Sequence, residues 1–223
     1  MNIKLLPEYL KDVGYTTHGF GKWHLGFCSK EYTPLQRGFD TFDGLYIGDD
    51  EDYRNDAKIV TEQRKLSKRK KKPLNFNSFN DGVKRSDIYS KFSSLDYASK
   101  MKTLLGTKTN LTQPFFIYMS LLTKVYPKEV DLSSSIIEER KTKIQEMDEA
   151  VREVVEELKN INKYQNTMIV FMSDNGARYI KSADPKDDPN FPLKGYKNTV
   201  HEGGTKVPGF VHSPLIENEM HRC

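Results

Sequence analysis

At 223 residues the chain is long enough for one domain with a buried core, and its 36% hydrophobic and 30% charged content is polar without reaching the composition of a disordered protein. Thirty-five Lys and Arg against 31 Asp and Glu give a net charge of +4, most of it from one local cluster, so composition does not point to a nucleic-acid partner. Cys28 and Cys223 are the only cysteines, which excludes a disulfide-rich scaffold and a Cys-built zinc site.

Met1 to Glu8 has no basic start, apolar stretch and small-residue cleavage site, so no signal peptide is expected in this chain. Leu5, Leu6, Tyr9, Leu10 and Val13 recur at helical spacing ahead of Gly14, predicting a helix over 3–13. Tyr15 to Trp23, rich in aromatic and β-branched residues, reads as a strand. From 49 to 85 periodicity fails, and a long irregular excursion from the core is expected. Within it, Arg64 to Lys72 holds seven basic residues in nine, either a polyanion-binding or nuclear-localisation patch or a solvated loop.

Helical spacing returns over Ser86 to Leu105, with Gly106 placed to close the helix. Pro114 to Leu121 is a continuous apolar run, as in a parallel strand covered on both faces; its extension to Leu122 is far short of the roughly 18 residues of a membrane-spanning helix. Ser135 and Glu138 fit a capping box, and Ile144, Met147, Val151, Val154 and Leu158 stripe a long helix ending near Lys159. Thr167 to Met172 is a second buried-strand pattern, so strand, helix and strand predict a right-handed parallel crossover in an α/β fold. After it, prolines from Pro185 to Pro214 mark an irregular segment.

Lys22 and His24, two apart in the first strand, are expected to point to one face, where a fixed cation and a titratable imidazole suit an anionic centre or an edge-strand surface. Asp174 and Asn175 follow the second buried strand, where ligands bind in open α/β sheets. Their oxygens suit part of a calcium shell, or Asn175-Gly176 is a plain turn. Lys197 precedes His201-Glu202-Gly203-Gly204, where a tight reversal would bring it to an anion or leave it solvated; Thr205 stands where a zinc-protease motif needs its second histidine.

In this order and spacing the motifs Leu6-Pro7-Glu8, Gly21-Lys22-Trp23-His24-Leu25-Gly26, Arg37-Gly38-Phe39-Asp40, Ser173-Asp174-Asn175-Gly176, Pro192-Leu193-Lys194-Gly195 and Glu202-Gly203-Gly204 resemble the sulfatase family, and within it the arylsulfatase B type. The resemblance implies an alkaline-phosphatase-like sandwich, with a mainly parallel sheet flanked by helices, and hydrolysis of sulfate esters by a formylglycine made from cysteine. One calcium ion would steady the sulfate. By position Asp174 and Asn175 match half of the calcium shell, Lys22 and His24 match residues beside the formylglycine, and Lys197 matches the lysine that grips the sulfate. It also implies a sulfate-ester substrate such as a sulfated sugar, and a lysosomal or secreted location, with which the Asn110-Leu111-Thr112 sequon agrees.

The sequence departs from the family at three places. No Cys-x-Pro-x-Arg or Ser-x-Pro-x-Arg occurs, no paired-aspartate strand precedes Lys22, and Val125, followed by Tyr126, falls where the family carries a histidine. Residues 1–223 are therefore expected to be an internal fragment of a sulfatase catalytic domain, incomplete at both ends and without turnover alone. The competing expectation is a catalytically dead remnant that binds polyanions or sulfated glycans through Lys22, Lys197 and the basic cluster. Phosphate-ester chemistry on the same fold would need His and Asp zinc-ligand clusters, which the sequence lacks.

Overall fold

The structure, a computed structural model, describes residues 3–46, 79–80, 83–84, 94–107, 113–121, 134–179 and 185–216. The Arg64–Lys72 cluster, the Asn110–Thr112 sequon, Val125, Tyr126 and Cys223 lie outside the described residues. Two compact units emerge, Met1–Thr123 with Lys143–Val154, and Lys124–Thr142 with Val155–Cys223. No helix among the described residues is long and apolar enough to cross a membrane.

In the first unit, helix α1 spans Leu6–Asp12, shorter than the expected 3–13 because Pro7 sets its first turn. The Glu8 carboxylate accepts the Leu5 N–H at 2.6 Å, satisfying a donor with no intrahelical partner. At the other end Tyr15 N–H donates to Leu10 O and Gly14 N–H to Lys11 O, both at 3.0 Å, with Gly14 at φ +88. That is the Schellman closure for which a glycine is suited.

Strand β1 (Thr16–Lys22) lies between β2 (Thr41–Leu45) and β5 (Phe115–Ser120) in a parallel three-stranded sheet, with Lys22 opposite Leu45 and Gly21 opposite Ser120. Trp23, Phe39 and Phe42 form a buried cluster of this unit: Trp23 meets Phe39 and Phe42 edge-on at 6.0 and 6.2 Å, and its Nε1 donates to Gly26 O and Tyr32 O. Each such buried aromatic contributes about 1.5–3 kcal/mol over exposure. Strand β5 lies in a parallel sheet, as its continuous apolar run predicts, but its faces are only partly covered: Tyr118 is 41% exposed.

Asp40 ties the loop before β2 to β1. It accepts the Thr17 N–H at 2.9 Å and the Thr17 hydroxyl at 3.2 Å, and pairs with Lys11 at 2.7 Å. Burial works against ionisation of Asp40, but the Lys11 ammonium and the Thr17 donors outweigh it and hold the carboxyl below its usual range.

Within the 49–85 stretch the described residues are an antiparallel pairing of β3 (Phe79–Asn80) with β4 (Val83–Lys84). Helix α2 covers Ser94–Thr107; the expected segment 86–93 lies outside the described residues, and Gly106 sits inside the helix instead of closing it. Tyr97, Ala98 and Met101 on α2 are fully buried, and Lys100 bridges Asp43 at 3.1 Å and Asp96 at 2.7 Å. Helix α3 runs Ser134–Asn160, starting one residue ahead of the expected cap at Ser135. Its inward face is carried by Ala150 and Leu158, whereas Ile144, expected in the stripe, is 58% exposed.

In the second unit β6 (Ile169–Met172) pairs antiparallel with β7 (Gly209–His212), a strand inside the segment expected to be irregular. The expected crossover joins strands of different units; within them, the ladder partner of β6 among the described residues is β7, and that of β5 is β1. Strand β6 is not buried on both faces, since Val170 and Met172 alternate outward at 55% and 66% exposure.

Candidate functional site

Lys22 is half-buried at the end of β1, where three strand ends close tightly. A Cβ on Gly21, which has φ +94, would stand 2.0 Å from Ser120 O, and one on Gly44 would stand 1.8 Å from Gly21 O. Only glycine fits there, so the backbone carrying Lys22 is fixed by packing.

His24 departs from expectation. The strand ends at Lys22, and His24 sits beyond it in the left-handed region at φ 57, so strand alternation does not put the two side chains on one face. Its N–H donates to Tyr46 O at 3.1 Å, and the Tyr46 ring stacks on Phe27 and Phe42 at 6.1 and 6.0 Å. Burial raises the Tyr46 hydroxyl above its ordinary value. An aromatic stack thus holds the imidazole's backbone while the ring stays exposed.

The second unit carries its candidate residues on loops. Ser173 N–H donates to Pro208 O and Gly176 N–H to Gly204 O, at 3.1 and 3.0 Å, stitching the turn after β6 to the segment before β7. A Cβ on Gly176 would lie 1.8 Å from Gly203 O, and one on Gly203 would lie 2.0 Å from Gly195 O. The glycines of Ser173-Asp174-Asn175-Gly176, Pro192-Leu193-Lys194-Gly195 and Glu202-Gly203-Gly204 therefore pack on one another. The reversal expected at Gly203 and Gly204 is a buried helical turn, α4 (Glu202–Thr205).

This stitching brings Lys197 to the acidic turn: its N–H donates to Ala177 O at 2.8 Å. Asp174 is exposed, and its carboxylate has no hydrogen bond or ion pair among the described residues. The Asn175 amide donates from Nδ2 to Gly176 O at 2.9 Å, which leaves Oδ1 as its acceptor end. The two hard oxygens fit a calcium ion as part of its shell of about six to eight. They do not complete one, for no group of three His, Cys, Asp or Glu that could hold a metal occurs among the described residues.

Lys22 and His24 thus belong to one unit, and Asp174, Asn175 and Lys197 are brought together in the other. Lys22, His24, Asp174 and Lys197 share one property: a charged or titratable head group with no partner among the described residues, on a backbone that is pinned at that residue or, for Asp174, at its neighbour Ser173. Two residues in this framework escaped the sequence reading. Tyr46 carried no motif, and Asn190, one polar residue in a proline-rich stretch, gave no signal of the role its hydrogen bonds reveal.

A family profile described as sulfatase matches residues 2–222. Arylsulfatase J of Mus musculus is 32% identical over 238 residues, covering 98% of this chain and 36% of its own length. N-acetylgalactosamine-6-sulfatase of the same organism is 30% identical over 216 residues, covering 94% of this chain and 40% of its own length. The chain therefore spans well under half the length of these relatives. Among solved structures, Ps i-CgsB in complex with k-i-k-neocarrahexaose superposes with a TM-score of 0.67 at 24% identity over 95% of this chain and 48% of that one. An alkaline phosphatase superfamily protein from Vibrio parahaemolyticus gives 0.50 at 15% identity, over 95% and 41%. At these identities both likenesses concern the fold, which is the alkaline-phosphatase-like α/β fold with a parallel sheet flanked by helices.

Proposed function

The chain belongs to the sulfatase family, and from that premise we propose that it carries the sulfate-holding part of an arylsulfatase-type ester hydrolase. Lys197 grips the sulfate, Lys22 and His24 serve beside the reacting group, and Asp174 with Asn175 supplies two oxygens to one calcium ion. Calcium, when bound, would draw charge from the sulfate oxygens. The chain's own part follows from elementary electrostatics: sulfuryl transfer piles negative charge on peripheral oxygens, and fixed ammonium groups stabilise it without reorganising. An imidazole can move a proton to or from a departing alcohol near neutral pH.

The observation that carries this reading is the shared state of Lys22, His24, Asp174 and Lys197, whose head groups have no partner among the described residues while the backbone at each, or beside it at Ser173, is held by close packing or hydrogen bonds. With no Cys-x-Pro-x-Arg among the 223 residues, the chain supplies no nucleophile and binds without turnover. The ester belongs to the sulfated-sugar class, in keeping with the name of N-acetylgalactosamine-6-sulfatase. A lysosomal or secreted location goes with that substrate.

Titration of 4-nitrophenyl sulfate into the chain, with and without calcium, tests the reading. Calcium-dependent binding with no release of 4-nitrophenol is expected. Binding that ignores calcium and falls steeply with salt would instead identify a polyanion binder.

A further inference from the structure

Asn190 is buried at 9% exposure, yet the reading above gives it no part. Its carboxamide faces the backbone of Ala177 as a neighbouring strand would. Oδ1 accepts the Ala177 N–H at 2.8 Å, and Nδ2 donates to Ala177 O at 3.1 Å. The amide is held in that orientation by Asp188, whose Oδ1 accepts from Asn190 Nδ2 at 3.0 Å and from the Asn190 N–H at 2.9 Å. Ala177 O is also the acceptor for Lys197 N–H. One residue, Ala177, therefore links Asn190, the turn bearing Asp174 and Asn175, and the backbone of Lys197.

We propose that Asn190 is a positioning residue, whose side chain, by pairing with both backbone polar groups of Ala177, holds the Asp174–Asn175 turn and Lys197 in register for an anionic ester. No other side chain among those described pairs with both backbone groups of Ala177. Main-chain bonds from Gly176 to Gly204 and from Lys197 to Ala177 remain when Asn190 is lost, so the loops stay folded while their register loosens. An apolar replacement leaves the Ala177 N–H buried without a partner, and an aspartate keeps the acceptor but turns the donor into a second acceptor facing a carbonyl.

The proposal rests on the sulfate-site reading for its ligand but not for its geometry, and two measurements separate them. Hydrogen exchange in the full chain reads the geometry: the Ala177 and Lys197 amides are expected to be protected in the wild type and to exchange at least tenfold faster in Asn190→Ala and Asn190→Asp. Calorimetry with 4-nitrophenyl sulfate and calcium reads the consequence. Affinity should fall about tenfold or more in both variants, the size usual for removing an outer partner of a ligand-bearing group.

Ser213→Ala is the control, since it removes a buried hydroxyl that donates to Thr167 O at 2.9 Å and belongs to the same unit. It should lower the melting temperature and leave affinity unchanged. Equal exchange in wild type and Asn190 variants would overturn the proposal, as would equal loss of affinity in Ser213→Ala. If the wild type binds no ester, the function reading fails, and exchange alone decides for or against the Asn190 clamp.

Discussion

The two groups of candidate residues, one in each unit, are fixed by different physics. Around Lys22 and His24, aromatic burial joins the close approaches of Gly21 and Gly44: Trp23, Phe39 and Phe42 pack edge to face, and Tyr46 extends the cluster to the His24 backbone. Around Asp174 and Lys197 the framework is built from glycine contacts and backbone hydrogen bonds closed by Asn190, with the Tyr179 and Tyr196 rings 5.1 Å apart beside it. A position can thus be made rigid by exclusion of water or by exclusion of side chains. The first tolerates small backbone adjustments; the second does not, because carbonyl oxygens already occupy the space a methyl group would need.

Substitutions sharpen the contrast. The largest effect belongs to Trp23→Ala, which removes the hub of the aromatic cluster together with two hydrogen bonds; a loss of about 3–5 kcal/mol is expected in urea unfolding. Loosening should show first in exchange of the β1 and β2 amides, and protection of the Gly176–Ala177 turn should outlast it. Gly176→Ala is next and opposite in location, since its added methyl would meet Gly203 O. It should cost about 1–3 kcal/mol and raise exchange at Gly204 and Ala177 while β1 stays protected.

Asp40→Asn ranks third, at about 1–2 kcal/mol at neutral pH for the loss of a charge-assisted set of bonds to a partly exposed group. Because the folded carboxyl is held below its usual value, the stabilisation is complete above the unfolded value of about 3.9 and lost as pH falls through the folded one. The difference between Asp40→Asn and wild type should therefore close in acid, as followed by urea midpoints at neutral and low pH. Smallest is Glu149→Gln, which removes an exposed pair with Arg152 on α3 and should leave the melting temperature unchanged, although the Arg152 bonds hold that carboxyl below its usual range.

What could be read from the sequence follows the same division. The aromatic half was legible because its signals are local: β-branched and aromatic residues mark β1, and Gly14 marks the end of α1. The left-handed turn at His24 was not, for a strand's alternation carries no mark of where the ladder stops. For the second half, Gly195, Gly203 and Gly204 read as turn punctuation, whereas their role is mutual close approach across a span of sequence. Asn190 was invisible for the same reason, since its partner Ala177 lies in a different loop. The pairing of β6 with β7 was equally illegible, because edge pairing depends on non-local register. The site residues themselves came from motif order, and the structure explains how several of those motifs are built into the fold.

The most direct test of the account is the affinity of the chain for 4-nitrophenyl sulfate in calcium, compared across wild type, Lys197→Ala and Lys206→Ala at constant ionic strength. Lys206 is an exposed lysine nine residues further along the chain with no part in the proposed site. The account predicts that Lys197→Ala weakens binding about tenfold or more, while Lys206→Ala matches wild type. Equal small losses in both variants would show that the ester feels only net charge, and would contradict a built sulfate site.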